Sequence, residues 1–286
     1  MDAGELLGLS VLIATIAVLI SASISDWKRR EVSDRHWMVL GTIGLASLII
    51  YSVHTTGFRW EYICLAAGVS MILLDILSGR EFNPLVFYAV MALLFIVPLY
   101  PNMSEDVMRA WASIPLCYLI YVCMYILRII RGGADVKCLI VLSISFPIYP
   151  QLFGLPLIDI PGYAINQYVF SISVLLVASL FTIPIIVYFV LKNAKAGVYT
   201  KRMFSGYRMD ISDAERSDVW PLEDIIDAKL TRIKIPDDEK IPEIYARLRN
   251  EGCGTVWVTP MIPFIIMITI AVVVVTLVGS PLFLIA

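Results

Sequence analysis

The sequence predicts an all-α polytopic membrane protein of about eight transmembrane helices, six at the fewest, with a small cytoplasmic domain before the last helix. Three observations predict it. Of 286 residues, 59% are hydrophobic and 16% charged, and the mean hydropathy is +0.83, an apolar excess beyond what an ordinary soluble domain carries. The apolar residues fall in runs close to the roughly 20 residues that one bilayer crossing needs. The net charge of -2 conceals basic residues crowded into alternate loops.

The first run, near 5–24, follows the acidic Met1-Asp2-Ala3-Gly4-Glu5 rather than a basic leader, and it ends in Ile24-Ser25-Asp26-Trp27 without a small-residue cleavage site. It is expected to stay attached as a true span. Further runs lie near 37–54, 60–78, 84–100, 108–127, 136–153, 167–191 and 260–284. Pro147 and Pro150 interrupt the run at 136–153, a candidate for a bent or partly re-entrant helix. Lys28, Arg29, Arg30 and Arg35 follow the first run, Arg80 the third, and Arg128 and Arg131 the fifth; nearly all the remaining Lys and Arg lie between 192 and 249. Only Arg59 and Arg109 fall on the other side, so the positive-inside rule puts the basic loops in the cytoplasm and both termini outside. Residues 192–259 read as the cytoplasmic domain, between a membrane region at 1–191 and a final span within 260–286. In it, Pro242 to Gly252 carries helix punctuation, with Pro near the start and Gly just past the end. Trp27, Trp37, Trp60 and Trp257 fall at expected interfaces, as an aromatic belt would.

The five cysteines, Cys64, Cys117, Cys123, Cys138 and Cys253, form no CxxC pair, and His36 and His54 are the only histidines. A zinc site or a catalytic imidazole is therefore disfavoured, no metal is expected, and nothing suggests nucleic acid. No internal repeat suggests two inverted halves, which weighs against an ion-coupled transporter.

Two acids stand out. Asp26 closes the first span and Asp135 opens the sixth, both on the expected cytoplasmic side. An ionisable group at the mouth of a span needs a partner or a task; either acid alone also reads as a helix cap or an ion-pair partner. If the two meet, aspartyl proteolysis is open to them, because like charges at close range share a proton and a water can then attack without a Ser or Cys nucleophile. Gly132 and Gly133 precede Asp135 and are expected to allow conformations closed to other residues and the close approach of another chain. Lys137 reads as a tuning or substrate-binding cation or as a topology anchor, and Asp75 as a third acid or as the partner of Arg80.

Gly132-Gly133-Ala134-Asp135 fits the Gly-x-hydrophobic-Asp motif of the GxGD aspartyl proteases, and Asp26-Trp27-Lys28-Arg29-Arg30-Glu31-Val32 resembles the first-aspartate region of the type IV prepilin peptidases. Their archaeal branch, the preflagellin (archaellin) peptidases, begins its final span in a way similar to Val256-Trp257-Val258-Thr259-Pro260-Met261-Ile262-Pro263. The resemblance implies an aspartyl endopeptidase of the cell membrane, without cofactor, that removes class III signal peptides from archaellin or type IV pilin-like precursors at the cytoplasmic face. Asp26 and Asp135 would be its catalytic pair. Ala134 departs from the glycine common in that branch, and the cysteine-bearing zinc module of the bacterial enzymes is absent, with its methyltransferase activity. Class III signal peptides carry basic residues just before the cleavage site, so Glu31 and Asp34 are expected to attract them, with Asp237-Asp238-Glu239 as a second acidic cluster. The alternative within proteases is a presenilin-like enzyme that cuts inside its substrate's own membrane helix.

Overall fold

In the computed structural model, residues 3–78, 83–158, 169–236 and 238–281 are described. Their helices are α1 (Ala3–Arg29), α2 (Asp34–Thr56), α3 (Trp60–Leu77), α4 (Pro84–Leu99), α5 (Asp106–Ile126), α6 (Gly133–Ser145), α7 (Val169–Leu180), α8 (Ile183–Lys195), α9 (Ile211–Ala214), α10 (Ile241–Asn250) and α11 (Phe264–Leu277). Five strands accompany them: β1 (Tyr207–Asp210), β2 (Val219–Pro221), β3 (Glu223–Ile226), β4 (Lys229–Arg232) and β5 (Thr255–Pro260). The chain divides into two compact units, Met1–Ser179 with Pro263–Ala286, and Leu180–Ile262.

Among the described residues, six helical stretches are long and apolar enough to cross a bilayer: Gly4–Arg29, Asp34–Thr56, Trp60–Leu77, Pro84–Asn102, Asp106–Ile126 and Phe170–Lys195. The last apolar helix, Phe264–Leu277, is shorter. The run expected at 136–153 ends at Ser145. Pro147 lacks an N–H and disfavours helical geometry in the residue before it, and Phe146 accordingly leaves the helix at φ -132° and ψ 62°. At 13 residues, α6 is roughly 20 Å long, short of the ~30 Å hydrocarbon core. The chain continues without helix, and residues 145–156 line a cavity of about 770 Å³ with the first turns of α1 and the C-terminal half of α2. Irregular backbone at membrane depth is tolerated in such a place.

In the first unit α2 packs on α1, α3 and α6, and α11 packs on both α1 and α6. Lipid supplies no hydrophobic drive between helices, so small residues and interhelical hydrogen bonds must hold them. Gly44 supplies the close approach: a Cβ there would sit 2.7 Å from Ser145 Cα, so α2 and α6 touch backbone to backbone. Trp111 Nε1 donates to Ser52 Oγ at 2.9 Å, Tyr121 Oη to Ser171 Oγ at 2.9 Å, and Tyr149 Oη to the Val275 carbonyl at 2.9 Å. Trp37 is fully buried in this packing, not placed at an interface.

The second unit contains a sheet that the sequence did not reveal. Strand β5 lies between β1 and β2, antiparallel to both, and β3 and β4 form a separate hairpin. Its core gathers Tyr207, Ile211, Val219, Ile244, Tyr245, Leu248, Val256 and Val258, with Phe189 from α8. Thr255–Pro260 is thus a strand, and the final helix begins only at Phe264. Glu223 is buried but satisfied, accepting the Trp257 N–H at 3.1 Å and pairing with Arg202 at 2.6 Å. Two Arg247 nitrogens hold the Asp224 carboxylate at 3.0 and 2.6 Å. Helix α10 stops where expected: Gly252 takes φ 72°, and Cys253 N–H reaches back to the Leu248 carbonyl at 3.0 Å, the bond pattern that closes a helix on a left-handed glycine.

Candidate active site

Asp26 sits in the last turn of α1 and Asp135 in the first turn of α6. Though 108 positions separate them in the chain, their carboxylates are close enough to interact electrostatically. Helix α11 helps to set that proximity, since it contacts both bearers. Ser23 Oγ and Thr269 Oγ1 share a hydrogen bond of 2.8 Å between α1 and α11. One turn further on, the Asp26 carboxylate faces the backbone N–H of Ile265 and the charge of Arg30. The N-terminus of α11 begins after Pro263 and has no side-chain cap of its own, so an anion from a neighbouring helix suits its unsatisfied N–H groups.

Gly132 is the N-cap of α6, Gly133 and Ala134 its first two residues. The N–H groups of Asp135 and Val136 bond to the Gly132 carbonyl at 3.1 and 3.2 Å. The expected backbone role of the glycines is not the one found. Gly132 has φ -73° and ψ 117°, open to any residue, and neither glycine is among those with positive φ. Gly132 is required sterically instead. The Asp135 side chain folds back over it, and a Cβ at 132 would lie 2.8 Å from Asp135 Cγ and overlap Oδ2. Among the described residues, a Cβ at Gly133 would meet Tyr125 Oη alone beyond its chain neighbours and own helix backbone, at 3.8 Å.

Lys137 does not stand free toward a substrate. Its Nζ binds Asp34 Oδ1 at 2.6 Å, tying the first turn of α6 to the first residue of α2. Asp34 therefore enters an ion pair, whereas Glu31 is exposed and accepts the Ser25 hydroxyl only through its main-chain carbonyl, at 2.7 Å. Asp75 is held by tyrosines of the two following helices, Tyr88 at 3.0 Å and Tyr118 at 2.6 Å; the expected partner Arg80 lies outside the described residues. Asp237 lies outside them too, and its neighbour Asp238 accepts the indole N–H of Trp220 at 2.8 Å. Sequence reasoning missed Ile265, because a backbone donor leaves no mark in the sequence beyond the Pro263 that begins the helix, and it missed Tyr125.

Residues 200–280 match the family model described as Archaeal Peptidase A24 C-terminus Type II. The chain is 27% identical over 278 residues to an uncharacterised protein of Methanocaldococcus jannaschii, covering 95% of this chain and 91% of that protein. It is 26% identical over 281 residues to the preflagellin peptidase of the same organism, covering 95% and 94%. The family match thus covers the C-terminal part of the chain, and the likeness to the preflagellin peptidase runs along nearly its whole length.

Proposed function

We propose that this protein is a membrane-embedded aspartyl endopeptidase that removes class III signal peptides from archaellin or type IV pilin-like precursors at the cytoplasmic membrane face. The observation that carries the reading is that Asp26 and Asp135, at the ends of two helices far apart in sequence, lie close enough to interact electrostatically. In the proposed reaction a water oxygen bonds to the scissile carbonyl carbon while one carboxylate takes its proton and the other gives a proton to the carbonyl oxygen. The tetrahedral intermediate then collapses: the C–N bond breaks as the departing amine takes the proton from the first carboxyl, and one hydroxyl of the intermediate returns a proton to the second carboxylate, which leaves a carboxylic acid product and restores the pair. Asp26, facing Arg30 and the Ile265 N–H, suits the role of base, and Asp135 that of proton donor.

Charge distribution supports the cytoplasmic orientation. The two arginines on the opposite side are both neutralised, Arg59 by Glu61 at 3.0 Å and Glu105 at 2.6 Å, and Arg109 by Asp106. Lys28, Arg29, Arg30, Arg35, Arg128 and Arg131 flank the helix ends on the side of the two acids, a bias that the positive-inside rule reads as cytoplasmic. A cationic segment ahead of the cleavage site would meet Glu31 there, with Asp34 already engaged by Lys137.

The test is precursor processing by Asp26→Asn and Asp135→Asn. Each variant should accumulate in the membrane fraction like wild type and leave a precursor panel uncleaved. Normal cleavage by either variant refutes the pair.

A further inference from the structure

Gly133 is a glycine that the folded chain does not need. Its φ is not positive, and it begins α6, where alanine is the better helix former. Apart from its chain neighbours and its own helix backbone, an added Cβ would meet no described atom within 4 Å except Tyr125 Oη at 3.8 Å, an ordinary van der Waals contact. Gly132 is the opposite case, its missing side chain being displaced by the Asp135 carboxylate. Tyr125 stands in the last turn of α5, which packs on α6. It is 47% exposed, and its hydroxyl makes no hydrogen bond among the described residues. Two residues before Asp135 there is therefore an open notch, floored by glycine backbone and walled by an uncommitted donor.

We propose that this notch receives the main chain of the substrate's cleavage segment, and that the Tyr125 hydroxyl donates a hydrogen bond to a substrate backbone carbonyl beside Asp135. The proposal rests on the peptidase reading above. An extended peptide is the ligand class that fits. It offers a carbonyl acceptor at every residue, and its backbone can approach a glycine more closely than any position that carries a side chain. Tyr125 contacts and positions the substrate; the protons of the reaction stay with the two acids.

The test compares purified wild type, Tyr125→Phe, Gly133→Ala and the double variant on one precursor, with thermal unfolding measured in parallel. Tyr125→Phe keeps the ring and removes only the hydroxyl. It should lower kcat/KM by about three- to tenfold, mainly through KM, as expected for one neutral hydrogen bond made in ground and transition states alike. Gly133→Ala should lower kcat/KM by about tenfold or more by misplacing the peptide, with no fall in the unfolding midpoint. The double variant should be no worse than Gly133→Ala, because both changes act on one contact. Wild-type kinetics in both single variants overturn the notch, as does a loss of activity that merely tracks a loss of stability. If wild type and Asp135→Asn are equally inert toward every precursor, the peptidase reading fails and this proposal fails with it.

Discussion

Replacing Gly132 by alanine probes the site with the smallest possible change. At φ -73° and ψ 117° the backbone accepts alanine without strain, so the entire effect falls on the neighbouring carboxylate. The new methyl would stand 2.8 Å from Asp135 Cγ, where ordinary contact begins at 3.4 Å; the carboxyl group must retreat by about 0.6 Å, the difference of those two values, and Oδ2 by more. Leaving its rotamer well costs the side chain about 0.5–1.5 kcal/mol, a modest effect on stability. Catalysis is less forgiving: a misplacement near 1 Å costs about a hundredfold, so Gly132→Ala should lower kcat by roughly ten- to a hundredfold. The assay is a precursor-processing time course on membranes matched for enzyme content, with the unfolding midpoint measured in detergent. A wild-type rate would show that Asp135 does not act from its folded-back position.

Four further outcomes follow from the same geometry. Lys137→Ala or Asp34→Ala should slow processing by about two- to fivefold, the scale of a partly exposed ion pair, and the exchange of both charges should recover most of the loss in the same assay; equal defects in single and exchanged variants would refute the tie. Gly44→Ala drives a methyl into the Ser145 backbone, an overpacking worth about 1–3 kcal/mol, and should lower the unfolding midpoint; an unchanged midpoint would mean that α2 and α6 shift apart at no cost. Asp75→Asn should leave the catalytic rate within about twofold while lowering stability, since removing a hydrogen-bonded charge costs on the order of 1.5–3 kcal/mol; loss of cleavage in stable protein would bring Asp75 into the reaction. Single cysteines at Ser33 and Lys229, in a cysteine-free background, should resist an impermeant thiol reagent added outside intact cells, and labelling from outside would reverse the orientation.

The helices were legible because each of the first five is a run of apolar residues bounded by polar loops, and some carried their own punctuation. Asn83-Pro84 marks the start of α4, where Asn83 caps the Leu85 N–H at 3.1 Å. The sheet was not legible. Thr255–Pro260 runs on into the apolar final helix and buries three successive residues, so no alternation marks it off, and all four residues of Lys229–Arg232 are exposed with no buried face to announce a strand. The hairpin joining β3 to β4 turns through Asp227 and Ala228 at φ 51° and 55°, conformations usually marked by Asn-Gly or Asp-Gly. In the candidate site, the placing of the two acids at helix ends was legible from where the apolar runs stop and start. The reason for Gly132 could not, because it depends on a side chain folding back over its own helix start, and sequence spacing carries no record of that.

The contact between Gly44 and Ser145 has a mechanical consequence. It fixes the far end of α6 against α2, while an ion pair at Lys137 ties the near end to the start of the same helix. Ten residues of helix separate Ser145 from Asp135, an arm of about 15 Å. Swung about that fulcrum by only about 5°, the arm carries the carboxylate roughly 1.3 Å, the distance over which a reacting geometry is made or lost. A short helix pinned at that far end would turn a slight tilt into a change in the separation of the proposed pair, so substitutions that stiffen or loosen the α2–α6 seam should act on the rate of cleavage without touching either acid.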